Sequence, residues 1–177
     1  LMIKYVSDAE KTIKKLKTKK IKQIKNFKTK FSPYEIAPIL RGLLSENKDQ
    51  KFIVNYRSNK NLNYFINGKD VKNYSIKGIS TPDHVIRVKP FPLIITPKPN
   101  STIEEFKVLA EKTFRNYRKK YIKYFNINKK KVKEKKTMLD TSPRVILVQN
   151  VGLFSVGNSL KASKIAGDLT ETNARVI

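Results

Sequence analysis

Apolar residues recur every three or four positions near the start of the chain: Met2, Val6, Ala9, Ile13, Leu16, Ile24 and Phe27, with Ile21 between them. That spacing predicts one helix over residues 2–28 with a single apolar stripe and lysines on its other faces. A basic amphipathic helix can lie on a membrane surface, but a stripe packed on a core with a solvated lysine face is the preferred reading. Ser32-Pro33 followed by Glu35 marks a second helix start, a serine cap with proline in the first turn, and Ile36, Ile39, Leu40, Leu43 and Leu44 form its buried face.

Further along, "KFIVNYR" (Lys51–Arg57) reads as a short strand, and "NLNYFING" (Asn61–Gly68) as a short helix closed by a left-handed cap at Gly68. Prolines 90, 92, 97 and 99 make the segment from His84 to Asn100 extended, with "HVIRVK" as a strand and "LIIT" as an edge strand. A long helix follows, capped by Ser101 and Glu104, with Ile103, Phe106, Ala110, Phe114, Tyr117, Tyr121 and Tyr124 as its stripe. Residues 126–138 are a charge run, expected to be a loop or a frayed helix end. Then "VILV" (Val145–Val148) predicts a buried strand, followed by a glycine-bearing turn and an amphipathic helix, with "RVI" (Arg175–Ile177) β-like. Strands alternating with helices give an α/β class, a mixed sheet flanked by helices.

At 177 residues the chain suits one domain with a real core. It has no cysteine, no apolar run long enough to span a bilayer and no leader-like start, which points to a cytoplasmic protein. It begins at Leu1 in helix-like sequence and ends in a β-like run, so the expectation is an internal fragment, incomplete at both ends. The net charge of +25 raises nucleic acid as a partner. Yet 32 of the 39 basic residues are lysine, and phosphate readers favour the planar fork of arginine. A solvated lysine surface with weak, non-specific polyanion binding is therefore preferred to a basic nucleic-acid- or ribosome-associated protein.

Two features bear on chemistry. "GLFSVGNS" (Gly152–Ser159) approximates a phosphate loop, but Asn158 stands where that loop needs lysine, leaving at most an anion site on the N–H groups of the helix start. His84 is the sole histidine, too few for a metal site that wants three ligands, and its role stays open. No nucleophile elbow accompanies it. No catalytic or metal-ligating residue is assigned.

"MIKYVSDAEK", "APILRGLLS", "TPDHVIRVKPFPLIITPK" and "MLDTSPRVILVQNVGLFSVGNSLKASKIAGD" together resemble the bifunctional rhamnulose-1-phosphate aldolase/short-chain alcohol dehydrogenases of the class II aldolase/adducin superfamily. The resemblance covers nearly the whole chain. It implies a class II aldolase-like α/β/α fold, with zinc and NAD as cofactors of the parent protein and none in this chain. It also implies partners: neighbouring aldolase and dehydrogenase domains of the same polypeptide, a homo-oligomer, and no membrane. An adducin-like, non-catalytic interaction module is the other reading within the superfamily.

In such aldolases a His-Thr-His triplet and a later His-Gly turn hold zinc. Setting "VIRVKP" and "NVGLF" on those motifs puts Arg87 and Lys89 on the paired histidines and Val151 on the third, 62 residues after Lys89 (151 − 89). The resemblance thus implies that residues 1–30 are the last helix of a preceding aldolase domain, and that residues 33–177 are a second, metal-free aldolase-like module, truncated. Arg87, Lys89, Gly157, Asn158 and Ser159 are the candidates for binding phosphate or another anion. As alternate residues of a strand, Arg87 and Lys89 are expected on one side, facing Val151. The preferred reading pairs them instead with a carboxylate such as Asp83 or Asp140.

Overall fold

The computed structural model describes residues 2–16, 20–45, 51–79 and 81–176. In chain order these form α1 (Met2–Lys15), α2 (Pro33–Leu44), β1 (Ile53–Arg57), α3 (Lys60–Ile66), α4 (Val71–Tyr74), α5 (His84–Val88), β2 (Leu93–Ile95), α6 (Ile103–Lys129), β3 (Val145–Val148), β4 (Gly152–Gly157) and α7 (Leu160–Val176). The four strands make one mixed sheet in the order β1-β4-β3-β2. β4 is antiparallel to both neighbours and β2 runs parallel to β3.

Side chains alternate across the sheet and so fill two cores. Ile146, Val148, Phe154, Val156, Leu93 and Ile95 face α2 and α6, whose Ile36, Leu40, Leu44, Phe106, Ala110, Phe114, Tyr117 and Tyr121 close that side. Val145, Leu147 and Leu153 face the other way, onto Leu62, Phe65 and Ile66 of α3, Val71 of α4, Val88 of α5 and Ala166 of α7. The result is the expected α/β/α layering, a mixed sheet flanked by helices. β2 sits at an edge, as the prolines around it require.

The caps explain the two helices on the first face. Ser32 and Glu35 form a reciprocal capping box on α2. On α6 the box is one residue later than the pattern suggests: Thr102 and Glu105 make it, while Ser101 Oγ bonds to Lys98 instead.

The first predicted helix is corrected. Residues 17–19 of the span lie outside the described residues. The helix ends at Lys15, none of its residues is buried, and Met2, Val6, Ile13 and Leu16 stand 62–81% exposed. Residues 20–30 are a strap rather than a helix continuation. Ile24 N–H donates to Asn67 O, Lys69 N–H to Lys22 O, and Lys30 N–H to Ser101 O. Gly68 is no left-handed cap, since its φ is not positive. It is small because the strap bridges there, and a Cβ would lie 2.5 Å from the Ile21 side chain.

Two further readings change. "HVIRV" is α5, not a strand. Pro82 favours a first turn, and Pro90 disfavours helical φ/ψ at Lys89, so the segment is a helix bounded by prolines. Lys89 ends it with φ 63°. "GLFSVG", read as a turn, is β4, buried along its whole length; the turn is Gln149–Val151, with Asn150 at φ 62°. Arg175 and Val176 lie in α7 or at its end, and Ile177 lies outside the described residues.

Candidate anion-binding cleft

Of the five candidate residues, Arg87, Gly157 and Asn158 come together. They line a cleft of about 420 Å³ with Lys51, Phe52, Ile86, Asp140, Arg144, Val156 and Ala162. Arg87 enters from the last turn of α5, Arg144 from the residue before β3, and Lys51 from the segment before β1. Gly157 and Asn158 carry the chain from β4 into α7.

Gly157 is explained by packing. A Cβ there would lie 2.7 Å from the Ala162 carbonyl carbon, so only glycine lets the first turn of α7 close on the end of the strand. Ser159 does not line the cleft; its Oγ accepts the Ala162 N–H at 3.1 Å and caps α7. The resemblance of residues 152–159 to a phosphate loop thus dissolves into a central strand and a capped helix.

Lys89 parts from Arg87, because the helix has no two-residue alternation. Its side chain is 2% exposed. Nζ donates to the Asp140 carbonyl, stands 3.6 Å from Asp140 Oδ1, and lies over the Tyr121 ring at 4.1 Å. Burial pushes its pKa down to about 8, against the pull of Asp140 and with the repulsion of Arg144. Asp140 is therefore the partner, as one of the two carboxylates anticipated for it. Arg144 grips both oxygens of Asp140 and lies over the Phe52 ring at 5.1 Å. Burial works to raise the Asp140 pKa, but the Arg144 hydrogen bonds and the two cations hold it below the ordinary value.

The alignment of Arg87, Lys89 and Val151 on three zinc positions fails in space. Arg87 lines the same cleft as Gly157 and Asn158, whereas Val151 precedes the opposite end of β4, about 20 Å of strand away. Zinc is tested by the donors available. Among the described residues no three His, Cys, Asp or Glu side chains converge. His84 has a buried Nδ1 without a hydrogen-bond partner, but one imidazole makes no zinc site. The described residues therefore do not fit zinc.

Lys51 and Arg144 are cleft residues that the sequence did not single out, whereas Asp140 was one of the two carboxylates expected to pair with Arg87 and Lys89. Lys51 is one of many lysines there. Arg144 and Asp140 carry a faint signal, a carboxylate and a guanidinium four residues apart just before a buried strand. No helix among the described residues is long and apolar enough to cross a membrane.

A four-stranded mixed sheet flanked on both faces by helices is the layering of a class II aldolase-type domain. Residues 29–177 match the family described as aldolase class II, second domain, and the chain belongs to that family. It is 29% identical over 135 residues to the uncharacterized oxidoreductase YuxG of Bacillus subtilis (strain 168), a match covering 76% of this chain and 19% of that protein. The chain thus spans about a fifth of the length of this relative. No solved structure matches it.

Proposed function

We propose that this chain is an internal segment of a larger sugar-phosphate enzyme that joins an aldolase to an NAD-dependent alcohol dehydrogenase. Residues 33–177 are its second, metal-free aldolase-like module, and the helix within residues 1–30 belongs to the domain before it. The parent cleaves a ketose 1-phosphate of the rhamnulose type to dihydroxyacetone phosphate and lactaldehyde, then oxidises an aldehyde or alcohol. Zinc belongs to the preceding domain and NAD to a following one. The observation that carries this reading is the match to a family of second domains, in a chain that also aligns with a fifth of an oxidoreductase. α1 fits the scheme because its apolar stripe stands largely exposed among the described residues.

The test is to express the complete reading frame and supply rhamnulose 1-phosphate. Release of dihydroxyacetone phosphate by the whole polypeptide, and none by the 177-residue chain, is the expected result. A complete polypeptide that releases none, or cleavage by this chain alone, would count against it.

A further inference from the structure

We propose that the cleft between α5 and the start of α7 binds a phosphomonoester, with Arg87 and Lys51 as its phosphate-holding cations. The carrying observation is a charge imbalance within one cavity. Arg87, Lys51 and Arg144 come from three separate parts of the fold, and Asp140 is the one carboxylate among the lining residues. Asp140 is already occupied. Arg144 donates to both its oxygens, the Ser142 N–H bonds to Oδ1 at 3.0 Å, and Lys89 stands behind it. Arg87 and Lys51 form no ion pair among the described residues. Two unneutralised cations facing one space match a ligand of about two negative charges, which is the charge of a phosphomonoester at neutral pH.

Geometry supplies further donors. Arg144 uses three N–H groups on Asp140 and the Ser142 carbonyl, which leaves two of its five. Asn158 also lines the cleft, just before the first turn of α7. Phe52, Val156, Ala162 and Ile86 form an apolar part of the lining, suited to the carbon skeleton of a small organic phosphate. The volume lies within the range of small-molecule sites, about 300–1,000 Å³. This site stands on the side chains of this domain and does not require aldol cleavage by a larger protein, so each reading can fail while the other survives.

Calorimetric titration of the 177-residue chain with inorganic phosphate and with glycerol phosphate, at low ionic strength, tests it. One saturable site is expected for both. Arg87→Gln and Lys51→Gln each weaken it by about tenfold, the scale of a lost charge-assisted hydrogen bond. Both positions are exposed, so circular dichroism is expected to match the unmutated chain. The control is Lys119→Gln/Lys123→Gln on α6, which removes two exposed charges outside the cleft and changes affinity less than about twofold. Equal affinity for the two ligands assigns the site to the phosphate group alone; tighter glycerol phosphate binding assigns the apolar wall to the organic part. Absence of a saturable site, or a control variant as damaging as Arg87→Gln, would overturn the proposal in favour of diffuse lysine charge.

Discussion

Lys89 is held charged in a buried place by one carboxylate, and that sets a pH dependence. In the fold its proton leaves at about pH 8, against an ordinary value of 10.5. Between these values the unfolded chain holds the extra proton, so stability rises with pH. Below about pH 8 both states are protonated, and the cost of the buried charge is fully present. Tyr74 and Tyr117, raised by burial, reverse the trend only above the ordinary tyrosine value of about 10. The unfolding midpoint is therefore expected to climb between about pH 8 and 10. Lys89→Met, similar in length and uncharged, should flatten that climb; a midpoint falling steadily from pH 8 would refute the assignment. Gly152 is a second single-residue constraint, with φ 145° and an added Cβ 2.7 Å from the Arg57 carbonyl oxygen. Gly152→Ala should cost about 1–3 kcal/mol in denaturant unfolding, whereas the open Gly42 of α2 should gain slightly from the same change.

Helices with a strong local signal were legible in the sequence, and those decided by their surroundings were not. α2 and α6 announce themselves by caps and apolar spacing, and VILV by its continuous apolar run. α1 shows why spacing alone is insufficient. Its stripe continues through Ile21, Ile24 and Phe27 on paper, yet backbone bonding to Asn67, Lys69 and Ser101 holds that stretch as a strap. α5 is a five-residue element whose alternating Val85, Arg87 and Lys89 mimic a strand, and only the flanking prolines betray the helix. Misreading it put Arg87 and Lys89 on one side. The cleft was half legible: Arg87, Gly157 and Asn158 were singled out and Asp140 was named as a pairing carboxylate, but Lys51 and Arg144 are distant from Arg87 in sequence and unremarkable in type. Because α1 buries nothing, deleting residues 2–15 should shift stability by less than about 0.5 kcal/mol. A loss of several kcal/mol in urea unfolding would mean that the helix packs on this domain after all.

At the scale of the whole molecule, the sheet and its two flanking layers supply the stability that a metal centre would otherwise share. Both cores are continuous: Phe106, Phe114 and Phe154 are at most 1% exposed on one face, and Leu62, Leu147 and Leu153 on the other. The strand and helix around Gly157 persist because Gly157 lets them touch, with Arg57 of β1 tying down α7 through Asp168 and Glu171. The most direct measurement is the thermal unfolding midpoint of the chain with a strong chelator and with added zinc. A bound ion stabilises the native state by mass action, so a fold that rests on packing alone should melt within about 1 °C in both conditions. A midpoint that collapses with chelator and recovers with zinc would contradict it, and would return a metal to a domain held here by its side chains.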